Sequence, residues 1–277
     1  DPLWSRGLGD VYKRQEERMA ENPATVRSFL ERLLLKSKPA AEREMAELRA
    51  FMTQQGCQHD LQPWDYTYWA NKLKESKYQF NAEETRPYFR LENVLDGAFG
   101  LATRLFDLEF KPIKDLPVYA DDVQIYEVRH RGSGEYMGLF YTDFFPRGTK
   151  SGGAWCTRFR SQFKLGGKDH RPHVSIVCNF TKPTATKPSL LTFQEVTTLF
   201  HEFGHALHSL LSQCQFRSLS CTNVYRDFVE LPSQILENWT REKESLALFA
   251  RHYESGAVIP DEMIDKIIAS ENFHAAY

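Results

Sequence analysis

The chain has 277 residues, 42% hydrophobic and 26% charged, with a formal net charge of -2. This is an ordinary globular composition, long enough for a large core and one or two domains. It gives no ground for nucleic acid or an anionic membrane as partner, and apolar runs such as Leu33-Leu34-Leu35 are far too short to span a bilayer.

In chain order, Asp1 to Gln15 shows no clear periodicity and lacks the basic start and long apolar run of a signal peptide. It reads as a non-native leader. Asn22-Pro23 can cap and start a helix. Val26, Phe29, Leu30, Leu33 and Leu34 follow at helical spacing, Pro39 restarts the pattern, and Met45, Leu48 and Met52 carry it to Gly56. The expectation is a helical hairpin. Pro63 to Trp69 opens another helix to about Lys77, whose aromatics core packing explains more simply than substrate grip. Arg86 to Phe89 is a break, and Glu92 to Phe106 a further amphipathic helix.

The period then changes. Val123 to Val128 alternates as a strand, Arg131-Gly132-Ser133-Gly134 turns, and Tyr136 to Phe144 returns as its partner. Gly152-Gly153-Ala154-Trp155 follows. Its glycines let another backbone approach, so Gly153 and Ala154 are candidates for a sheet edge that holds an extended substrate. A plain glycine loop is the equal alternative. Val174 to Phe180 is a short strand, and His170 and His173 nearby read as surface residues.

Thr192 to Ser212 is the most informative stretch. Thr192 and Glu195 form a capping-box pattern, with Leu191 and Val196 as its hydrophobic staple. Val196, Leu199, Phe200, Phe203, Leu207, Leu210 and Leu211 make one apolar face. His201, His205 and His208 fall opposite. Within His201-Glu202-Phe203-Gly204-His205, the two histidines four apart can share one ion. Glu202 projects roughly 100° away, placed to act as a base on water.

Two residues compete as third ligand. His208 lies about 10 Å of helix rise from His201, too far for one ion whose nitrogens sit at about 2.0–2.1 Å. Glu230, in the probable helix Arg226 to Gln234, is the better choice. Two His and one Glu leave a position open for water, as in catalytic zinc sites. Asp227, Gln234 and Glu237 are candidates to orient the histidines. After Glu230 the pattern is helical from Gln234 to about Glu254 and from Asp261 to about Phe273. The five cysteines are odd in number and scattered, with no Cys-x-x-Cys, which favours a reducing compartment. Cys178 and Cys214 lie among apolar residues and read as buried free thiols.

Leu199 to His205 followed by Asp227-Phe228-Val229-Glu230-Leu231-Pro232-Ser233-Gln234 resembles the thimet oligopeptidase family of zinc peptidases. Gly152 to Trp155, Val177-Cys178-Asn179-Phe180 and Pro188 to Leu191 resemble its bacterial branch. The likeness extends upstream through Leu61 to Asp65 and Leu91 to Leu95, and covers about Met19 to Tyr277.

The resemblance implies a mainly α fold with a small antiparallel β-sheet, a thimet oligopeptidase/neurolysin-like zincin catalytic domain. It implies one Zn2+ held by His201, His205 and Glu230, and hydrolysis of short oligopeptides by a zinc-activated water with Glu202 as general base. Members carry a further His and a Tyr-Gly-rich segment downstream, which this chain stops short of. An incomplete domain is therefore expected, with a zinc-binding but catalytically silent fragment as the alternative. A metal-free helical protein with incidental histidines is a third reading. The expected organisation is a leader at 1–15, a helical region at 16–115 and a zinc-binding catalytic region at 116–277. The location implied is cytoplasmic, and the partners are short peptides, with no nucleic acid and no membrane.

Overall fold

A computed structural model describes residues 18–79, 81–271 and 273–276. The expected leader at 1–15 lies outside the described residues. Backbone contacts divide the chain into two units, 1–81 with 265–277 and 82–264.

In the first unit, helix α1 spans Pro23–Gln54 and helix α2 spans Tyr66–Tyr78. The Asn22 side chain caps α1 by accepting from the Thr25 N–H at 2.9 Å. The expected helical hairpin is not formed, because α1 runs straight through Pro39. A proline costs an interior helix one hydrogen bond and a kink, and does not by itself reverse the chain. No glycine or turn residue stands beside Pro39 to do so.

The second unit holds the motifs. Helix α3 spans Leu91–Phe106, starting one residue before the expected Glu92 and ending where expected. Residues 86–88, read as a break, continue a 3-10 helix at Ala82–Tyr88. Five strands then form one sheet among the described residues: β1 Leu108–Ile113, β2 Gln124–His130, β3 Tyr136–Asp143, β4 Trp155–Arg160 and β7 His173–Val177. A two-stranded ribbon, β5 Phe163–Leu165 and β6 Lys168–His170, lies between β4 and β7 in sequence. The sheet order is β1-β2-β3-β7-β4. The β2–β3 hairpin is antiparallel as expected.

The sheet is mixed, which corrects the expectation of an antiparallel one. β3 and β7 pair in parallel, from Leu139 opposite His173 to Asp143 opposite Val177. Parallel neighbours need a long crossover. The segment carrying β4, β5 and β6 supplies it, and β4 folds back antiparallel onto β7 as the sheet edge.

Helix α4, Phe193–Leu210, packs on this sheet. Its capping box forms with both halves in place: Glu195 N–H donates to the Thr192 hydroxyl at 3.1 Å, and Thr192 N–H donates to the Glu195 carboxylate at 2.7 Å. Val196, Leu199, Phe200, Phe203, Leu207 and Leu210 are all buried. Phe203 meets Phe99, Phe110 and Phe140, an aromatic cluster joining α4 to α3, β1 and β3. The helix that carries the histidines thus rests on the centre of the unit.

The helices expected from Arg226 to Gln234 and from Gln234 to about Glu254 are broken into pieces. α5 is Arg226–Val229, α6 is Leu231–Glu237, a 3-10 turn covers Asn238–Thr240, and α7 is Lys243–Phe249. Helix α8, Asp261–Glu271, matches its expectation closely. All five cysteines are free. Cys178 is fully buried as expected, whereas Cys214 is only half-buried.

Candidate metal centre

His201 and His205 lie on the face of α4 away from its aromatic contacts, four residues apart, and their rings stand 4.9 Å apart at a steep angle. The third group arrives from a helix junction. Glu230 sits between α5 and α6, where Pro232 fills an N-terminal position of the second helix. Ser233 fixes it there, its hydroxyl donating to the Glu230 carbonyl at 2.9 Å and to the Glu230 Oε2 at 3.0 Å.

The approach of α6 to α4 depends on Gly204. A Cβ built there would stand 2.5 Å from the Ser233 Cα and 2.8 Å from the Pro232 carbonyl oxygen. Only glycine permits that distance, and with it the placement of Glu230 against the histidines.

The resulting geometry is tight. Glu230 Oε2 lies 3.2 Å from His201 Nε2 and 3.1 Å from His205 Nε2. The ligand atoms of all three residues lie within 4.8 Å of one another. Two donors on a tetrahedral zinc, each at about 2.0–2.1 Å, stand roughly 3.4 Å apart. The donor set, two imidazoles and a carboxylate, and its spacing therefore fit a zinc ion. His201 Nδ1 meets Glu237 Oε1 at 2.6 Å. That contact puts the ring proton on Nδ1 and leaves the Nε2 lone pair facing the cluster. Of the three outer candidates, Glu237 makes this contact with a histidine ring. The Nδ1 of His205 is buried with no hydrogen-bond partner among the described residues, and burial pushes this imidazole below its ordinary pKa, favouring the neutral form that can bind a metal.

Glu202 is 7% exposed and its Oε2 has no hydrogen-bond partner among the described residues. Burial pushes its carboxyl up to about 7, with His201 pulling it down and Glu230 pushing it further up. It shares one cavity of about 370 Å³ with His201, His205 and Glu230. The start of β4 forms another wall of that cavity, through Ala154, Trp155 and Cys156. Gly153 stands one residue before it, exposed, with φ +88. His208 is not part of the cluster. It faces a separate apolar cavity beside Leu207 and Leu231, and packs near Phe228.

Sequence reasoning missed β4 altogether and saw only the glycines before it. The signal was weak, since Trp-Cys-Thr-Arg-Phe-Arg has no clean apolar alternation. Every residue of β4 except Phe159 is half-buried, so neither face of the strand is marked by a run of apolar side chains.

Residues 10–277 match Peptidase family M3. Oligopeptidase A of Escherichia coli strain K12 is 40% identical over 268 residues, covering 96% of this chain and 39% of the relative. Dipeptidyl carboxypeptidase of the same strain is 40% identical over 263 residues, covering 94% of this chain and 38% of the relative. The organellar oligopeptidase A of Arabidopsis thaliana is 42% identical over 272 residues, covering 94% and 34%. The chain spans about two fifths of the length of these relatives. It belongs to peptidase family M3.

Proposed function

We propose that this member of peptidase family M3 is the zinc-binding, catalytic part of a peptidase that hydrolyses peptide bonds of short oligopeptides. His201, His205 and Glu230 hold one Zn2+, and Glu202 is the general base. The reading rests above all on the convergence of the two Nε2 atoms on Glu230 Oε2, beside the buried carboxyl of Glu202, whose Oε2 has no hydrogen-bond partner among the described residues.

When bound, zinc lowers the pKa of a coordinated water towards about 7 and polarises the carbonyl under attack. The chain's own groups do the rest. Glu237 holds His201 in the tautomer that offers Nε2. Ser233 holds the Glu230 carboxylate between the two imidazoles. Glu202 takes the proton of the attacking water as the oxygen–carbon bond forms. It returns that proton to the amine nitrogen as the carbon–nitrogen bond breaks. Ala154 borders this cavity with Gly153 directly before it, where the chain enters the free edge of β4, and an extended peptide adds there as a further strand. Free cysteines throughout agree with a cytoplasmic setting. No helix among the described residues is long and apolar enough to cross a membrane.

The test is a quenched peptide assay on the zinc-loaded chain beside Glu202→Gln. The variant is expected to keep one zinc per chain and to lose about 10²–10⁴-fold in rate. Normal turnover in the variant, or a parent chain that does not retain stoichiometric zinc at neutral pH, overturns the assignment.

A further inference from the structure

The segment that leads into β4 is not a free glycine loop. It is held by polar bonds from residues outside the metal cluster, those of Lys150 and Asp143 buried and those of Asn179 at the surface. Asp143 ends β3 and Lys150 lies seven residues on; their side chains are 2% and 1% exposed. Lys150 Nζ donates to the Asp143 Oδ1, to the Asp143 carbonyl and to the Phe145 carbonyl, each at 2.9 Å. All three ammonium protons are thereby used. Asp143 also accepts from Arg147 at 2.8 Å and from the Tyr119 hydroxyl at 3.0 Å. Asn179, just past β7, clamps the other end of the loop. Its amide donates to the Ser151 carbonyl at 2.9 Å and to the Gly153 carbonyl at 2.8 Å. Ala154 follows directly, on the wall of the cavity that holds His201, Glu202 and Glu230.

We infer that Lys150 and Asn179 are positioning residues for peptide binding: they fix residues 151–155 so that the free edge of β4 stands ready beside the metal cluster. This deepens the reading above and rests on it, because it takes that edge as the place where the peptide adds. The physical reason is preorganisation. A glycine pair leaves the backbone free, and an edge strand that must order itself on binding loses affinity. Hydrogen bonds formed beforehand remove that cost. The burial of the Lys150 ammonium is itself unfavourable unless its bonds are complete, so a loop of this kind is held in one arrangement or not at all.

The experiment uses the zinc-loaded chain, with Asn179→Ala and Lys150→Met. The half-buried Asn179 can be truncated without opening a buried ion pair, so its variant keeps the question answerable where Lys150→Met fails to fold. Three quantities are read: zinc per chain, amide hydrogen exchange, and the affinity for a labelled hexapeptide whose central bond is reduced and cannot be cleaved. Both variants are expected to keep one zinc and unchanged protection of residues 196–207. Exchange at 151–156 is expected to quicken at least tenfold, and the peptide to bind about tenfold more weakly, as suits the loss of one or two hydrogen bonds. Unchanged exchange at 151–156 overturns the inference. Faster exchange with undiminished peptide affinity also overturns it, since the bonds would then serve the loop alone. A parent chain that holds zinc but does not bind the peptide overturns the edge reading instead, and the exchange comparison still decides whether these bonds order the segment.

Discussion

The metal cluster has a helix side and a strand side, and they are built differently. On the helix side, α4 carries a capping box, an apolar face and two histidines four residues apart. Each feature is local, set by spacings of three and four residues. On the strand side, Asp143 and Lys150 close the turn after β3, Asn179 holds the carbonyls of Ser151 and Gly153 just before Ala154, and β4 pairs with β7 some twenty residues on. None of those bonds is periodic. The contrast teaches that the histidine pair is encoded by pattern, whereas the strand wall of the cavity is encoded by hydrogen bonds between residues far apart in sequence.

The sharpest way to break the contrast is to cut what joins the two sides. Arg171 is buried and donates to the Met137 carbonyl at 3.1 Å and the Ser212 carbonyl at 2.9 Å, and also to the Leu210 carbonyl. It ties β3 to the C-terminal end of α4 and satisfies carbonyls that a helix leaves open. Its carboxylate partner among the described residues is Asp169 at 3.1 Å. Arg171→Met should cost roughly 3–5 kcal/mol, the scale for one member of a buried ionic network. Denaturant midpoints measure it. A loss below about 1 kcal/mol would mean that the two sides are joined by apolar packing alone.

A smaller and one-sided effect is expected at Gly204. Gly204→Ala drives a methyl group into the backbone at Pro232 and Ser233. Overpacking of this kind costs about 1–3 kcal/mol. Because Glu230 lies directly before α6, zinc affinity should fall with stability, while amide exchange at 151–156 stays as it was. Competition with a chelator reads the first and exchange reads the second. If zinc affinity held while the strand side loosened, the division drawn here would be wrong.

The same division explains what the sequence disclosed. Thr192, Glu195, His201, Glu202 and His205 announce themselves by spacing, and the structure places them as that spacing requires. Glu230 was selected because a helix of its own could bring it back, and the chain does so through two short helices rather than one. Gly204 passed unnoticed because its role is a distance between backbones, which no periodicity records. β1 was overlooked because Pro112 interrupts a short alternation, although β1 is an edge strand that tolerates proline. Pro39 misled in the other direction, since a long helix can absorb it. Nothing in the sequence singles out Lys150, whose side chain is buried through the three-dimensional position of Asp143.

The mildest perturbation is acid, and it should reach the strand side through Asp143. Burial pushes the Asp143 carboxyl up, but the bonds from Arg147, Lys150 and Tyr119 outweigh burial and hold it below the ordinary carboxylate value. The folded chain therefore binds this proton less readily than the unfolded chain does. The stability Asp143 contributes is complete above the unfolded carboxylate value of about 3.9 and is lost as pH falls through the lower folded value. Asp143→Asn should accordingly be less stable than the parent at neutral pH, with the two stability curves converging below about pH 4. Within the parent chain, exchange at 151–156 should quicken beyond the intrinsic pH effect as Asp143 takes its proton, because the Lys150 ammonium then loses its counter-charge while still buried. Parallel stability curves for parent and variant down to the acid transition would show that Asp143 does not carry this dependence, and that the strand side is anchored by Asn179 and the sheet alone.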